Sequence, residues 1–208
     1  MANWNIQSVY HGANLVSPFS MFEAGFSGKG YDVSGSGFYF TDCIDTARGY
    51  SRRVKDGAKQ EAAFLYVCDL SFEKPYIRMN RDNCSPITLP MPFDRLTRII
   101  ATSPHLFDRN NSPMIDFGYG DQLSRKDFIR GRIPDIAEGY IDDGEVNINM
   151  LENDWFKDYP DLFRRCLQNA TGYDSIIVHF ADGENTFVAW FTDQIEIKEV
   201  HNDRERIR

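Results

Sequence analysis

The segment Gly35–Asp42 (GSGFYFTD), followed eight residues later by Tyr50, decides the fold of this 208-residue chain. Its two glycines let the backbone turn tightly and let a flat molecule approach it closely. The aromatic run after them predicts a strand over 38–41, and a helix is predicted to follow. Tyr39 on the strand and Tyr50 on the helix can therefore sandwich a planar ring between them.

Further elements are predicted on both sides of this segment. Upstream, residues 7–11 predict a short strand, and a long loop over 13–36 separates it from the segment. Downstream, Asp45 is the predicted N-cap of a helix over 46–54. The apolar run 62–70 then predicts a buried strand.

The middle of the chain differs from its two ends. Six prolines interrupt residues 73–125 and remove clear periodicity. Helices are predicted over 93–101, 126–140 (interrupted at Pro134) and 161–169. The chain then returns to strands, which are predicted over 174–180, 185–191 and 194–200. Strands at both ends and a largely helical insertion over about 75–165 predict a single α+β domain over 1–208, with the strands around one cleft.

The charge of the chain argues against a broad nucleic-acid surface. The formal net charge is −8, from 23 basic and 31 acidic residues, whereas neutralising phosphates needs clustered Lys and Arg. Two local basic clusters are present: Arg48, Arg52, Arg53 and Lys55, and Arg125, Lys126, Arg130 and Arg132. Each is interpreted either as a solvated helix face or as a local groove for phosphates.

The cysteines, histidines and apolar runs predict a cytoplasmic protein without a metal. The four cysteines are widely spaced and form no C-x-x-C motif, which favours a reducing compartment. The four histidines lie far from any pair of cysteines, so no zinc site is expected. The N-terminus lacks the pattern of a signal peptide, and no apolar run of about 20 residues predicts a membrane span.

Taken in order, these motifs resemble those of the ADP-ribosyltransferases of the diphtheria-toxin and poly(ADP-ribose) polymerase type. They are especially similar to the compact bacterial and phage-encoded versions. The resemblance rests on Tyr10-His11-Gly12, residues 37–42, Tyr50, residues 172–178 and residues 187–195, and it covers about 1–72 and 158–200. It implies split antiparallel β-sheets around an NAD cleft.

The resemblance also implies roles for individual residues. His11 would donate a hydrogen bond to the adenosine ribose, and the backbone of Gly12 would hold the nicotinamide carboxamide. Tyr39 and Tyr50 would stack on the two faces of the nicotinamide, a cation in NAD, so cation–π attraction would add about 1–2 kcal/mol. The implied NAD-binding set is completed by Gly37, Phe38, Phe40, Thr41 and Ala47. Relatives often carry a hydroxyl residue at the position of Ala47, so one hydrogen bond is expected to be absent.

One departure from the family pattern bears on the reaction. The family places a glutamate eight residues before the glutamine that matches Gln194, and this chain has Thr186 there. The implied triad is therefore His11, Tyr39 and Thr186, which argues against polymer elongation and leaves transfer of a single unit open. Glu184 would lie on the same strand face as Thr186. It is either the replacement carboxylate or a solvated hairpin residue.

The leading hypothesis is a mono-ADP-ribosyltransferase that consumes NAD and modifies a protein or nucleic-acid acceptor. A bacterial or phage toxin or effector fits it, in a toxin–antitoxin or phage-defence setting with an antitoxin or immunity partner. The alternative is a pseudoenzyme that binds NAD or ADP-ribose and acts through protein–protein contacts; a purely structural protein is a third class. For the residues themselves, core packing is the competing interpretation of His11, Tyr39 and Tyr50, and core or strand-edge packing is the preferred interpretation of His179.

Overall fold

The computed structural model describes residues 3–15, 17–23, 37–52, 62–80, 88–106 and 125–203. Several features singled out in the sequence lie outside these residues: Gly35, Ser36, Arg53, Lys55, Cys84 and most of the loop over 13–36. Contacts divide the chain into two compact units. The first comprises residues 1–30, 37–85 and 173–208, and the second comprises residues 31–36 and 86–172.

Strands and helices have the following bounds. The strands are Trp4–Leu15 (β1), Phe38–Thr41 (β2), Ala62–Phe72 (β3), Pro75–Asn80 (β4), Thr88–Pro90 (β5), Ile141–Asp142 (β6), Glu145–Asn147 (β7), Ser175–Phe180 (β8), Asn185–Ala189 (β9) and Ile195–Asn202 (β10). The helices are Ile44–Ser51 (α1), Phe93–Ala101 (α2), Arg125–Gly131 (α3), Ile133–Glu138 (α4), Ile148–Trp155 (α5) and Pro160–Thr171 (α6). The α+β class is therefore confirmed.

The first unit is built on a seven-stranded sheet in the order β10-β3-β1-β2-β9-β8-β4. Its neighbouring strands are antiparallel except for β4 and β8, which are parallel. The sheet is thus mixed, because the proline-rich stretch that was read as the start of a helical insertion contributes β4. Pro75 and the five residues after it pair in register with residues 175–180. An edge strand tolerates such a proline, since one side of its ladder has no partner strand.

The connection between β3 and β4 shows that this sheet curls on itself. Only Glu73 and Lys74 separate the two strands, so three residue steps of about 11 Å at most join them. In the sheet order, β3 and β4 stand five places apart, which in a flat sheet is about 24 Å. The β4 side must therefore bend back towards the β3 side.

The buried aromatic core lies on the inner face of the curled sheet. Its side chains come from alternate positions of five of the strands, together with Phe22 from the loop after β1. The members are Val9, Phe22, Phe38, Phe40, Phe64, Tyr66, Cys68, Leu70, Phe72, Ile177, Phe187 and Ala189. Because strand side chains alternate, the intervening residues point to the outer face.

A buried pair of polar residues fastens the sheet where it closes. The Asp174 carboxylate accepts from the backbone N–H groups of Glu73 and Lys74, at 2.7 and 3.1 Å. Gln194 donates through Nε2 to the carbonyl and to Oδ2 of Asp174, both at 3.1 Å. Its Oε1 accepts from the N–H groups of Trp190 and Phe191, at 2.9 and 3.0 Å. The two side chains join the β3–β4 turn, the start of β8 and the 3₁₀ turn before β10.

Helix α1 begins two residues earlier than the sequence predicts. Its N-cap is Cys43, and Asp45, predicted as the cap, lies in the first helical turn. The Cys43 N–H is bonded at 3.1 Å to Oγ1 of Thr41, so the strand hydroxyl starts the turn. Asp45 is still favourably placed there, because a carboxylate near a helix N-terminus interacts well with the helix dipole.

The second unit contains α2 to α6 and a small sheet in the order β5-β7-β6. The sequence missed this sheet, whose strands have two or three residues each, and it did not predict α5. The helix predicted over 126–140 is broken between α3 and α4, where Pro134 occupies the first turn of α4. Gly172 ends α6 with a φ of 75°, a left-handed C-cap conformation that glycine adopts without strain.

Candidate active site

The two strands that carry the first motifs separate soon after they meet. Within the described residues, the register between β1 and β2 consists of the pair Tyr10–Thr41, whereas β1 pairs with β3 along most of its length. Just beyond that pair, Nδ1 of His11 lies 2.7 Å from the carbonyl oxygen of Tyr39. A side chain thus bridges the two strands at the point where the regular ladder ends.

This hydrogen bond fixes the proton of the His11 imidazole. A carbonyl oxygen only accepts, so Nδ1 must carry the hydrogen. The ring also packs among aromatic side chains, with centroid distances of 5.1 Å to Phe22, 5.6 Å to Phe40 and 6.0 Å to Tyr66. Burial lowers the His11 pKa, and the Tyr39 hydrogen bond opposes this only in part. At neutral pH His11 is therefore the neutral Nδ1–H tautomer, which leaves Nε2 able to accept a hydrogen bond.

Gly12 is required by the packing of α1 on the sheet. A Cβ at this position would lie 1.8 Å from the carbonyl oxygen of Ala47 and 2.8 Å from the backbone nitrogen of Ser51. Since both atoms belong to the backbone of α1, the helix could not yield without moving as a whole. Ala47 is itself buried, with 1% of its surface exposed. The glycine therefore allows α1 to lie directly on β1, on the outer face of the sheet.

Tyr39 lies on this same outer face. Its neighbours Phe38 and Phe40 point into the core, where they are 4% and 2% exposed, so the alternation of the strand directs Tyr39 to the side that α1 covers. Tyr50 lies on α1 and is 50% exposed. Both tyrosines therefore lie on the outer side of the sheet, Tyr39 on β2 and Tyr50 on α1, whereas the rings of Phe38 and Phe40 pack in the core.

Gly37 and Thr41 have structural roles beside these residues. A Cβ at Gly37 would lie 2.4 Å from Cγ1 of Val188 and 3.1 Å from the carbonyl oxygen of Ala189, so β2 packs tightly on β9 there. The Thr41 hydroxyl accepts a hydrogen bond from the N–H of Cys43, the N-cap residue of α1, and Thr41 pairs in the sheet with Thr186. These contacts position β2, which carries Tyr39, and its connection to α1, which carries Tyr50.

Glu184 is directed towards α1. It lies in the β8–β9 turn just before β9, and its Oε2 accepts a hydrogen bond of 2.9 Å from Oγ1 of Thr46. Thr46 and Tyr50 are four residues apart on α1, hence on the same side of that helix. Thr186, two residues further on, alternates with the buried Phe187 and faces outwards like Tyr39. A carboxylate therefore stands beside the helix that carries Tyr50.

Three residues of this region were not singled out in the sequence. Thr46 anchors Glu184, and Asp42 and Asn185 are bonded to each other at the adjoining strand ends. No role was assigned to any of them from the sequence, because each is recognised only through a partner about 140 positions away in the chain. Asp42 stood inside the quoted segment, but nothing in the segment indicated its partner.

Arg48 and Arg52, the two members of the first basic cluster that the structure describes, pair with a carboxylate within the fold. Nε of Arg48 and Nη2 of Arg52 lie 3.3 and 2.8 Å from the carboxylate oxygens of Asp203, which is 5% exposed. Arg48 also pairs with Asp45 at 3.2 Å. The sequence alternative in which these arginines steer a phosphate backbone therefore loses its two described members.

The described residues contain neither a metal-binding arrangement nor a membrane-spanning helix. Among them, no three His, Cys, Asp or Glu side chains come together in a group able to hold a metal ion. None of the helices in these ranges is long and apolar enough to cross a membrane.

Comparison with known proteins agrees with this geometry. The family model described as "ADP-ribosyltransferase in polyvalent proteins" matches residues 5–206. The match includes the middle of the chain, which the sequence resemblance had left uncovered. Neither a curated protein nor a solved structure shows detectable similarity to the chain. The chain belongs to the ADP-ribosyltransferase family of polyvalent proteins, and it is an enzyme that uses NAD as its co-substrate.

Proposed function

We propose that this enzyme transfers a single ADP-ribose unit from NAD to a macromolecular acceptor, with Glu184 as the carboxylate of the active site. The observation that carries the proposal is the 2.9 Å hydrogen bond between Thr46 and Glu184. It holds an acidic group one helical turn from Tyr50, on the sheet face of Tyr39 and Thr186. Thr186 offers a hydroxyl where the family has its glutamate, which supports single transfer over elongation.

In this proposal the nicotinamide ring lies between Tyr39 and Tyr50, with its carboxamide on the backbone of Gly12. His11, held by the Tyr39 carbonyl, accepts a hydrogen bond through Nε2 from a hydroxyl of the adenosine ribose. The site thus grips both ends of the dinucleotide. Binding energy from the distant adenosine would then help to orient the bond that breaks.

The reaction breaks the bond between C1′ of the ribose and the pyridinium nitrogen. Its electron pair leaves with nicotinamide, which becomes neutral, and positive charge develops on the ribose ring. The Glu184 carboxylate stabilises that charge. A nucleophilic atom of the acceptor then bonds to C1′ and releases its proton to solvent. Each turnover consumes one NAD and releases one nicotinamide.

We further propose a protein acceptor, and a bacterial or phage toxin or effector role with an antitoxin or immunity partner in the cytoplasm. The engagement of Arg48 and Arg52 by Asp203 supports the choice of acceptor, because it withdraws two charges that a phosphate backbone would need. Expression in a bacterial host tests the toxic role. Growth should stop with the wild type and continue with Glu184→Gln.

Labelled NAD and a nuclease-treated cell lysate test the chemistry. The wild type should release nicotinamide and leave label in protein, and label lost with nuclease would point to a nucleic-acid acceptor instead. Glu184→Gln should lower kcat by about 10²–10³-fold and leave the KM for NAD nearly unchanged. Glu196→Gln, on an exposed side chain of the same unit, is the matched control and should retain full activity.

Two results would contradict the proposal. Undiminished turnover in Glu184→Gln would show that this carboxylate is not used. NAD binding by the wild type with neither nicotinamide release nor transfer would favour the pseudoenzyme alternative. The reciprocal variant Thr186→Glu restores the family residue. A gain of activity in this variant would assign the catalytic carboxylate to position 186 instead of Glu184.

A further inference from the structure

Hydrogen bonds link the side chains of Asp42, Asn185 and His179 in a network at the end of the β8–β9 hairpin, beside Glu184. The backbone N–H of Asn185 donates to Oδ1 of Asp42 at 2.9 Å, and its side-chain Nδ2 donates to Oδ2 of the same carboxylate. The Asp42 N–H returns a 3.4 Å bond to the carbonyl oxygen of Asn185. On its other side, Oδ1 of Asn185 is bonded to Nδ1 of His179.

The Asp42 carboxylate determines which groups donate and which accept in this hydrogen-bond network. A carboxylate only accepts, so the Asn185 amide must direct its NH₂ group at Asp42 and its oxygen at His179. Nδ1 of His179 must then donate. His179 is thus hydrogen-bonded near the C-terminal end of β8.

This network ties together the two segments that meet at Glu184. Asn185 directly follows Glu184 in the hairpin, and Asp42 lies two residues before α1, the helix that carries Thr46. The backbone of Glu184 is fixed as well, since its N–H donates to Oδ1 of Asp182 at 3.1 Å and its carbonyl accepts from Phe180 at 3.0 Å. The hairpin and the start of α1 therefore hold a constant separation, which is what the Thr46–Glu184 bond requires.

We propose that Asp42 and Asn185 are positioning residues for ADP-ribosyl transfer: they hold the hairpin so that the Glu184 carboxylate stays against α1, with His179 bracing Asn185. The proposal rests on the proposed role of Glu184. Its physical basis is that a misplacement of about 1 Å in a reacting constellation costs up to about 10²-fold in rate. Because Glu184 lies in a turn, its carboxylate keeps such a precise position only if residues outside the turn restrain it.

Asp42→Asn tests this role, because it replaces one accepting oxygen with a donor that faces Asn185. We expect kcat to fall about 10–100-fold with the KM for NAD nearly unchanged. Introduced into the Glu184→Gln enzyme, the same substitution should cause no further loss, since its effect passes through Glu184. Asp45→Asn removes an exposed carboxylate from the adjoining turn and should leave kcat unchanged.

Two further measurements keep the proposal testable if Asp42→Asn folds poorly. Asn185→Ser keeps the backbone pair with Asp42, removes the side-chain link and should lower kcat by a smaller factor. Nitrogen-15 shifts of His179 should show the Nδ1–H tautomer in the wild type and its loss in Asn185→Ser. Unchanged kcat in both variants, or losses that add to that of Glu184→Gln, would overturn the proposal. Full turnover in Glu184→Gln would instead refute the proposed function itself.

Discussion

Replacing Gln194 with alanine removes four hydrogen bonds at the point where the curled sheet closes. The change leaves the backbone N–H groups of Trp190 and Phe191 without their acceptor and removes two hydrogen bonds to Asp174. Gln194 and Asp174 are 8% and 6% exposed, so water replaces these partners poorly. At about 1 kcal/mol for each bond, with added cost for stranded buried groups, we expect a loss of about 3–5 kcal/mol.

Denaturant unfolding measures this loss directly. For a chain of this length, about 3–5 kcal/mol corresponds to a fall in Tm of roughly 6–20 °C. Gln7→Ala, on an exposed position of β1, is the matched control and should change stability by less than about 0.5 kcal/mol. A loss below about 1 kcal/mol in Gln194→Ala would show that the Asp174–Gln194 pair does not fasten the sheet, and the account of its closure would be wrong.

Two further predictions follow from the site. Gly12→Ala should destabilise the protein by about 1–3 kcal/mol or more and weaken NAD binding, because the new Cβ meets the α1 backbone. Gly49→Ala in the same helix has nothing within 4 Å of its Cβ and should stabilise by about 0.5–1 kcal/mol in the same unfolding assay; equal effects of the two would refute the packing argument. Because burial lowers the His11 pKa, the native state resists protonation, and stability should fall as pH drops below the ordinary value of about 6.5. The variant His11→Asn keeps a donor for the Tyr39 carbonyl. The free energy of unfolding of the wild type, measured relative to this variant, should therefore decrease between about pH 7 and 5. A difference that stays constant with pH would contradict this prediction.

The local elements of the first unit were largely predictable. The aromatic run at 38–41 and the apolar run at 62–70 have strong β patterns, and both are strands. Gly172 ends α6 as its conformational freedom predicts. Pro75–Asn80 was missed because its strand character comes from pairing with β8, and a sequence pattern contains no information about a partner a hundred residues away.

The candidate site divides in a similar way. Contiguous motifs contain His11, Gly12, Tyr39 and Tyr50. The first three lie where β1 and β2 diverge, and Tyr50 lies on α1, which packs over that place. Their assignment to NAD stays a prediction. The structure gives Gly12 an additional role, since its missing Cβ makes room for α1.

Sequence order alone was enough to indicate an α+β enzyme of the ADP-ribosyltransferase type, because its motifs are local and each carries its own backbone preference. The curl of the sheet, the neutral tautomer of His11 and the contact between Glu184 and Thr46 were decided only in three dimensions. Each depends on atoms brought together from distant parts of the chain, and a hydrogen bond exists only when both partners are in place.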